Sequence, residues 1–277
     1  MQMAMAFTDY RAADIDAELT PASRSLLRQL SLLDAVDSTN LALQRLPVHE
    51  QHGHAVVADR QSAGRGRHGR SWHSPPGRNI YLSLGWNFQR TAGALAQLPL
   101  AIAVTVTRAL RRAGVRSAGI KWPNDIQADG GKLAGILVEL RGAGTDQAVA
   151  VIGIGVNVRM PANGADQPVI GQPWTDVCAH LDQPAGPGLR NRLCGILLDE
   201  LLRNVACYNA EGFYPFADDW SKWDVLRGKE VNVSSVDETI VGTATGISDR
   251  GGLLVVCPGT SGEMQVREFF AGDVSIR

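Results

Sequence analysis

A chain of 277 residues, 44% hydrophobic and 20% charged, is long enough for one large core and a small second one. Its formal net charge of −1 excludes a bulk polycation of the kind that coats nucleic acid. Its four cysteines, Cys178, Cys194, Cys207 and Cys257, lack metal-type spacing and read as reduced thiols of a cytoplasmic protein without a zinc site. Residues 1–6 have no basic start or sustained apolar stretch, and no later run is read as reaching membrane-spanning length. Neither export nor a membrane is therefore expected.

Residues 1–30 are polar, with helical patches at 14–18 and 23–30, and read as an N-terminal extension too short for a winged helix-turn-helix. A strand at 32–36 enters Asp37-Ser38-Thr39-Asn40, side chains that cap helix N-termini, followed by Leu41, Leu43 and Leu46. Plain capping explains the tetrad, but a helix start with spare hydroxyl and amide groups also suits a polar ligand. Residues 54–59 form an apolar strand that opens into a glycine- and arginine-rich loop, and residues 79–86 alternate as a strand should. Residues 94–112 carry Leu98, Ile102, Val106 and Leu110 at helical spacing, with Pro99 in the first turn and Gly114 as the stop, and make a core helix. An apolar run then reaches Lys121-Trp122-Pro123-Asn124-Asp125, and Asp129-Gly130-Gly131 signals a hairpin into 132–139. Lys132 enters that buried strand; a turn lysine reaching solvent and a working cation both fit. Residues 148–158 are an apolar strand broken by Gly153 and Gly155, whose bare backbones suit the close approach of a ligand's ring or of another strand. Residues 161–188 are a proline- and glycine-rich loop holding Trp174, and residues 189–210 an amphipathic helix. After Trp220 and Trp223, short strand signals at 230–233, 239–247, 253–256 and 265–269 make a small barrel beyond a boundary near residue 224.

The organising stretch is Gln61-Ser62-Ala63-Gly64-Arg65-Gly66-Arg67-His68-Gly69-Arg70-Ser71-Trp72, with three arginines and three glycines between 64 and 70. Backbone N–H groups and forked guanidiniums together surround an anion, and Trp72 offers an apolar wall. The Gly64-x-Gly66-x-x-Gly69 spacing matches a dinucleotide fingerprint, but Pro75, Pro76 and Gly77 forbid the helix it requires, and no acid lies between Asp59 and Asp125 to take a ribose. Residues 60–124 hold eleven Arg or Lys and no acid, so this third of the chain is expected to face a small anionic partner such as a triphosphate.

Taken in order, the tetrad 37–40, the loop 61–72, Lys121-Trp122-Pro123-Asn124-Asp125, Lys132-Leu133-Ala134-Gly135-Ile136-Leu137 and Gly153-Ile154-Gly155-Val156-Asn157 resemble biotin protein ligases, from about residue 30 to the C-terminus. The resemblance implies an α+β fold. Residues 31–224 would be a catalytic domain like class II aminoacyl-tRNA synthetases, a mixed sheet with helices, and 225–277 an SH3-like β-barrel. It also implies biotin and MgATP as substrates, a biotinyl-5′-AMP intermediate, and a lysine of a biotin carboxyl carrier protein as acceptor; homodimers occur in the family. Without room for the DNA-binding domain of the bifunctional members, no operator binding is expected. By motif matching, Arg65 and Arg67 hold the phosphate and the carboxylate, and Lys132 reaches the α-phosphate. Ser38, Thr39, Asn40 and Gln61 meet the ureido ring with backbone groups of Gly64 and Gly66. Trp72, Gly153 and Gly155 shape the apolar slot, with Gly135 beside them. Asn157 and Trp174 contact the nucleotide, and Asp125 helps deprotonate the acceptor lysine. Rival readings are a lipoate or octanoate ligase, which needs an apolar tunnel in place of these polar groups, a nucleic-acid-binding regulator, and an inactive biotin sensor.

Overall fold

The computed structural model describes residues 9–141, 147–161, 170–181, 185–234, 238–259 and 262–277. Along them run α1 (Ala12–Asp16), α2 (Pro21–Leu26), β1 (Gln29–Val36), α3 (Thr39–Gln44), α4 (Val48–Gln51), β2 (His54–Gln61), β3 (Ile80–Phe88), α5 (Leu98–Arg112), β4 (Gly119–Lys121), β5 (Asp125–Ala128), β6 (Gly131–Arg141) and β7 (Ala148–Val156). There follow α6 (Leu189–Glu211), α7 (Ala217–Trp223), β8 (Glu230–Ser234), β9 (Thr239–Ile247), β10 (Leu253–Pro258), β11 (Met264–Phe269) and β12 (Asp273–Ile276). The first seven strands form one sheet in the order β1-β2-β3-β7-β6-β5-β4, parallel between β1 and β2 and antiparallel elsewhere. The last five form an antiparallel sheet, β11-β10-β9-β8-β12, as the small-barrel reading expected.

Period-two alternation decides which side of the large sheet becomes core. Ala55, Val57, Leu82, Leu84, Ala134, Ile136, Ile152 and Ile154 are all buried and join one cluster with Ile102, Val106, Leu197 and Leu201 from α5 and α6. The other side carries Val56 and Ala58 on β2, Tyr81, Ser83 and Gly85 on β3, Gly135, Leu137 and Glu139 on β6, and Val151, Gly153 and Gly155 on β7. Leu43 of α3 covers one end of this side against Val56 and Val151. What α3 leaves uncovered becomes the cleft.

The β5–β6 hairpin closes through Asp129 and Gly130, both at positive φ (47° and 82°), the conformation expected of a two-residue turn. The helix read from residue 94 instead begins at Leu98, after a 3-10 turn at Gly93–Leu95. Pro99 has no N–H to donate within a helix and so sits in its first turn. By length and composition residues 93–112 do qualify as a membrane span, correcting the sequence reading, but the side chains of α5 are spent on the sheet. Strand β12 was missed, because four residues after Gly272 give too short an alternation to register. The basic excess of 60–124 is also redistributed. Arg108 pairs with Asp219, Arg112 with Asp199 and Glu200, and Arg111 stacks on Trp223, so these arginines tie helices together rather than face a partner. Their acids come from α6 and α7, too distant in sequence for a local charge count to pair them.

Residues of the N-terminal extension dock on α6 through Asn191, which bonds to Arg11 N–H and Asp9 O, and through one buried carboxylate. Asp199, fully buried, accepts from the Thr20 N–H and hydroxyl (both 2.9 Å), from Ser23, from Arg112 (2.8 Å) and from Arg203 (2.9 Å). Burial pushes this carboxyl up, but the Ser23 hydroxyl, the Thr20 N–H and the two guanidiniums outweigh it and hold it well below the usual carboxylate range. Asp199→Asn is expected to cost about 3 kcal/mol of unfolding free energy at neutral pH, read by urea denaturation. Because the folded pKa is depressed, the contribution is complete above the ordinary value of about 3.9 and shrinks as the pH falls below it. The gap between wild type and variant should close in that direction; a gap independent of pH would show that the charge of Asp199 is idle.

Candidate active site

Antiparallel pairing sets Lys121, Asp125, Gly135, Gly155 and Tyr81 opposite one another across β4, β5, β6, β7 and β3. Directly opposed residues share a face, so this row forms the cleft floor. The indole of Trp72 lies on the two glycines. A Cβ at Gly155 would stand 2.5 Å from Trp72 Cε2, and one at Gly135 2.8 Å from Cζ3. A Cβ at Gly153 would strike the Asn40 side chain. The close approach for which these glycines are bare is therefore made by residues of this same chain.

A cleft of about 1180 Å³ opens over this floor, room enough for two substrates. It brings together all the sequence-predicted positions: Ser38, Thr39, Asn40, Gln61, Gly64, Arg65, Gly66, Arg67, Trp72, Asp125, Lys132, Gly135, Gly153, Gly155, Asn157 and Trp174. The basic loop is a tight turn in which Gly66 N–H donates to Arg70 O (2.7 Å), Trp72 N–H donates to Gly64 O (2.8 Å), and His68 takes a positive φ of 54°. Each of its arginines has a partner. Arg65 meets Glu139 at 3.0 Å, Arg67 donates to Asn124 Oδ1 at 3.1 Å, and Arg70 pairs with Asp273 of β12. Burial pulls the Arg67 guanidinium below its usual pKa against the opposing pull of Asp125 and Asp273. The C-terminal sheet thus supplies an acid to the rim of the cleft.

In the same cleft, Lys132 Nζ lies 2.8 Å from Asp125 Oδ1 and 5.4 Å from the centroid of the Trp72 ring. Lys132 is therefore no solvent-reaching turn lysine: its side chain is 16% exposed. Residues 173–175 continue the edge here, with Lys132 N–H donating to Pro173 O and Thr175 N–H to Lys132 O (both 3.0 Å), which sets Trp174 into the cleft wall. Asn157 is buried, and its amide nitrogen donates to Lys132 O (3.2 Å) and Thr175 O (3.1 Å). It braces the lysine's strand.

At the other end, the tetrad does not work as a plain cap. Ser38 occupies the N-cap position of α3 without a side-chain capping bond. Thr39 and Asn40, both buried, turn inward: Thr39 N–H donates to Gln61 Oε1 at 2.9 Å, and Ser83 Oγ donates to Asn40 Oδ1 at 2.6 Å. Sequence reading missed Ser83, Glu139 and Asp273, and gave no role to Lys121 although it lies in one of the motifs that carry the resemblance. The first two were legible as polar positions on the glycine-bearing side of their strands, had that side been recognised as a floor. Lys121 lines the cleft beside the Lys132–Asp125 pair, and burial pulls its ammonium below the ordinary lysine value. Asp273 gives no local signal.

A cleft that gathers fixed cations, an indole lying on its glycine floor and polar hydrogen-bonding groups at one end has the makeup of an acid-activating ligase, one able to hold two anions side by side. The comparisons with known proteins agree. The Biotin/lipoate A/B protein ligase family model matches residues 32–157, and the Biotin protein ligase C terminal domain model matches residues 227–277. The bifunctional ligase/repressor BirA of Escherichia coli is 35% identical over 249 residues, 90% of this chain and 74% of that protein. The biotin--[acetyl-CoA-carboxylase] ligase of Paracoccus denitrificans is 32% identical over 244 residues, 87% of this chain and 100% of that protein. Among solved structures, the biotin protein ligase from Aquifex aeolicus in complex with biotin and ATP superposes with a TM-score of 0.72 at 29% identity, over 91% of this chain and 99% of that one. The chain belongs to the biotin protein ligase family.

Proposed function

We propose that this chain attaches biotin to a lysine of a biotin carboxyl carrier protein in two steps, the first of which consumes ATP. In the first, a biotin carboxylate oxygen bonds to the α-phosphorus of ATP and pyrophosphate leaves, giving biotinyl-5′-AMP. In the second, the carrier's lysine amine bonds to the acyl carbon, AMP leaves, and the amine's surplus proton is lost. The first step joins two anions, so charge neutralisation outweighs acid–base help. The observation that carries the reading is a single cleft that holds the Lys132–Asp125 pair at 2.8 Å together with Arg65, Arg67 and Trp72. Lys132 serves the α-phosphate, and the two arginines serve the carboxylate and phosphate oxygens. Ser38, Thr39, Asn40 and Gln61 take the ureido ring, with Gly64 and Gly66 backbone alongside. Asp125, adjacent to Lys132, accepts the acceptor lysine's proton, while Trp174 walls the nucleotide.

Magnesium enters with ATP. Among the described residues no group of three or more His, Cys, Asp or Glu is placed to hold a metal, and the cleft's Asp125 and Asp273 are each paired with a cation, so the donor set fits an ion carried by phosphates rather than by a protein cage. Residues 31–224 form the catalytic unit and 225–277 the barrel that lends Asp273. The cysteines are free thiols, which supports a cytoplasmic setting. Incubation with biotin, MgATP and a carrier domain is expected to add one biotinyl group to the carrier, read by intact mass. An unmodified carrier, or equal transfer from lipoate or octanoate, would overturn the assignment.

A further inference from the structure

Near the end of β6, Glu139 holds one residue from each half of the site. Its Oε1 lies 3.0 Å from the Arg65 guanidinium, and its Oε2 accepts from the Asn40 side-chain amide at 2.8 Å. The contacts then continue inward. Asn40 Oδ1 accepts from Ser83 Oγ at 2.6 Å, Ser83 Oγ sits 2.7 Å from Thr39 Oγ1, and Thr39 Oγ1 donates to Gln61 Oε1 at 3.2 Å. Gln61 Nε2 donates on to Ser74 Oγ at 3.0 Å, just beyond Trp72. One unbroken polar run therefore joins the groups assigned to the biotin head with the arginine assigned to the anion.

The geometry points to Glu139 as a positioning residue that couples the biotin pocket to the phosphate-holding turn. The inference rests on the functional reading above, in which Arg65 meets the anion and Thr39 and Gln61 meet biotin. A carboxylate is suited to the place because both of its oxygens accept, and here each serves a different donor. The Arg65 guanidinium has five N–H donors, so its contact with Glu139 fixes the fork's orientation and leaves donors free for substrate. Asn40 is 3% exposed and wedged over Gly153, so a shift at Thr39 is passed on rather than absorbed. A substrate seated at either end steadies a run that the other substrate also meets, so each raises the affinity for the other.

The test measures biotin affinity of the full chain by calorimetry, with and without the non-hydrolysable nucleotide α,β-methylene-ATP. In the wild type the nucleotide is expected to tighten biotin binding about tenfold. Glu139→Gln preserves the shape but offers a single acceptor oxygen, so it serves Arg65 or Asn40 and not both; its ratio should fall to about twofold or less while its unfolding midpoint stays in place. Ser83→Ala breaks the same run two links away and should lose the ratio likewise, which keeps the inference testable should the first variant fold poorly. A Glu139→Gln protein that retains the wild-type ratio, or a wild type that binds both ligands independently, overturns the coupling while leaving the ligase reading intact. A wild type that binds no biotin at all overturns that reading and the coupling with it.

Discussion

Lys132→Ala is expected to lower biotin-dependent ATP–pyrophosphate exchange by about 10³-fold or more, the range typical of removing a fixed cation from phosphoryl transfer. The size follows from where the ammonium sits. Lys132 is 16% exposed, held at 2.8 Å by Asp125 and bounded by the Trp72 ring, in the cleft that the arginine turn also lines. Charge developing on the α-phosphoryl oxygens would meet a cation already in place and shielded from water, where it acts most strongly. Deleting the side chain also leaves Asp125 without its partner and with its negative charge turned toward the incoming phosphate. Lys222→Ala is the control: that lysine is 66% exposed, makes a surface contact with Asp219 at 3.5 Å, and should change the exchange rate by less than about twofold. Equal losses in the two variants would remove Lys132 from the chemistry. A loss near tenfold would instead mean that Lys121, directly opposite Asp125 on β4, stands in for it.

Much of this arrangement was legible in the sequence because the chemistry sits in short contiguous runs. Arg65 and Arg67, Lys132, and the pair Gly153 and Gly155 each break a local rule: charge where apolar residues prevail, or glycine where a strand is weakened by it. Such violations mark positions that serve something other than the core. Glycines 153 and 155 showed that something must approach the backbone, but not that Asn40 and Trp72 would do so, because sheet register and loop path join residues more than eighty positions apart. Glu139 and Ser83 were hidden for the opposite reason. A Ser or Glu every other residue along a strand reads as its solvent side, and here that side is a cleft floor under α3. Asp273 was beyond reach, since its pairing with Arg70 depends on how the second sheet sits against the first, which no local pattern encodes.

Gly155→Val tests the floor itself and is expected to weaken biotin binding by about 10²-fold, the cost of displacing a positioned group by about 1 Å. A Cβ at residue 155 would stand 2.5 Å from Trp72 Cε2 and 2.6 Å from Nε1, closer than packed atoms tolerate, so either the indole or the strand must move. The strand is the less yielding of the two. Gly155 is hydrogen-bonded between β3 and β6 in the middle of a seven-stranded sheet, opposite Tyr81 on one side and Gly135 on the other. The indole therefore lifts, and it does not lift alone, because Trp72 N–H is bonded to Gly64 O within the basic turn. The variant should lose both the apolar slot and the placing of Arg65 and Arg67, so adenylate formation falls along with biotin affinity. The clash can be separated from a general strand defect by pairing the change with Trp72→Ala. Removing the indole weakens binding by itself, but it also removes what the introduced valine side chain strikes, so the effects of the two substitutions on unfolding free energy should sum to more than the double variant loses, by about 1 kcal/mol or more. Strict additivity would mean that the indole does not rest on Gly155, and the slot would have to be sought elsewhere in the cleft.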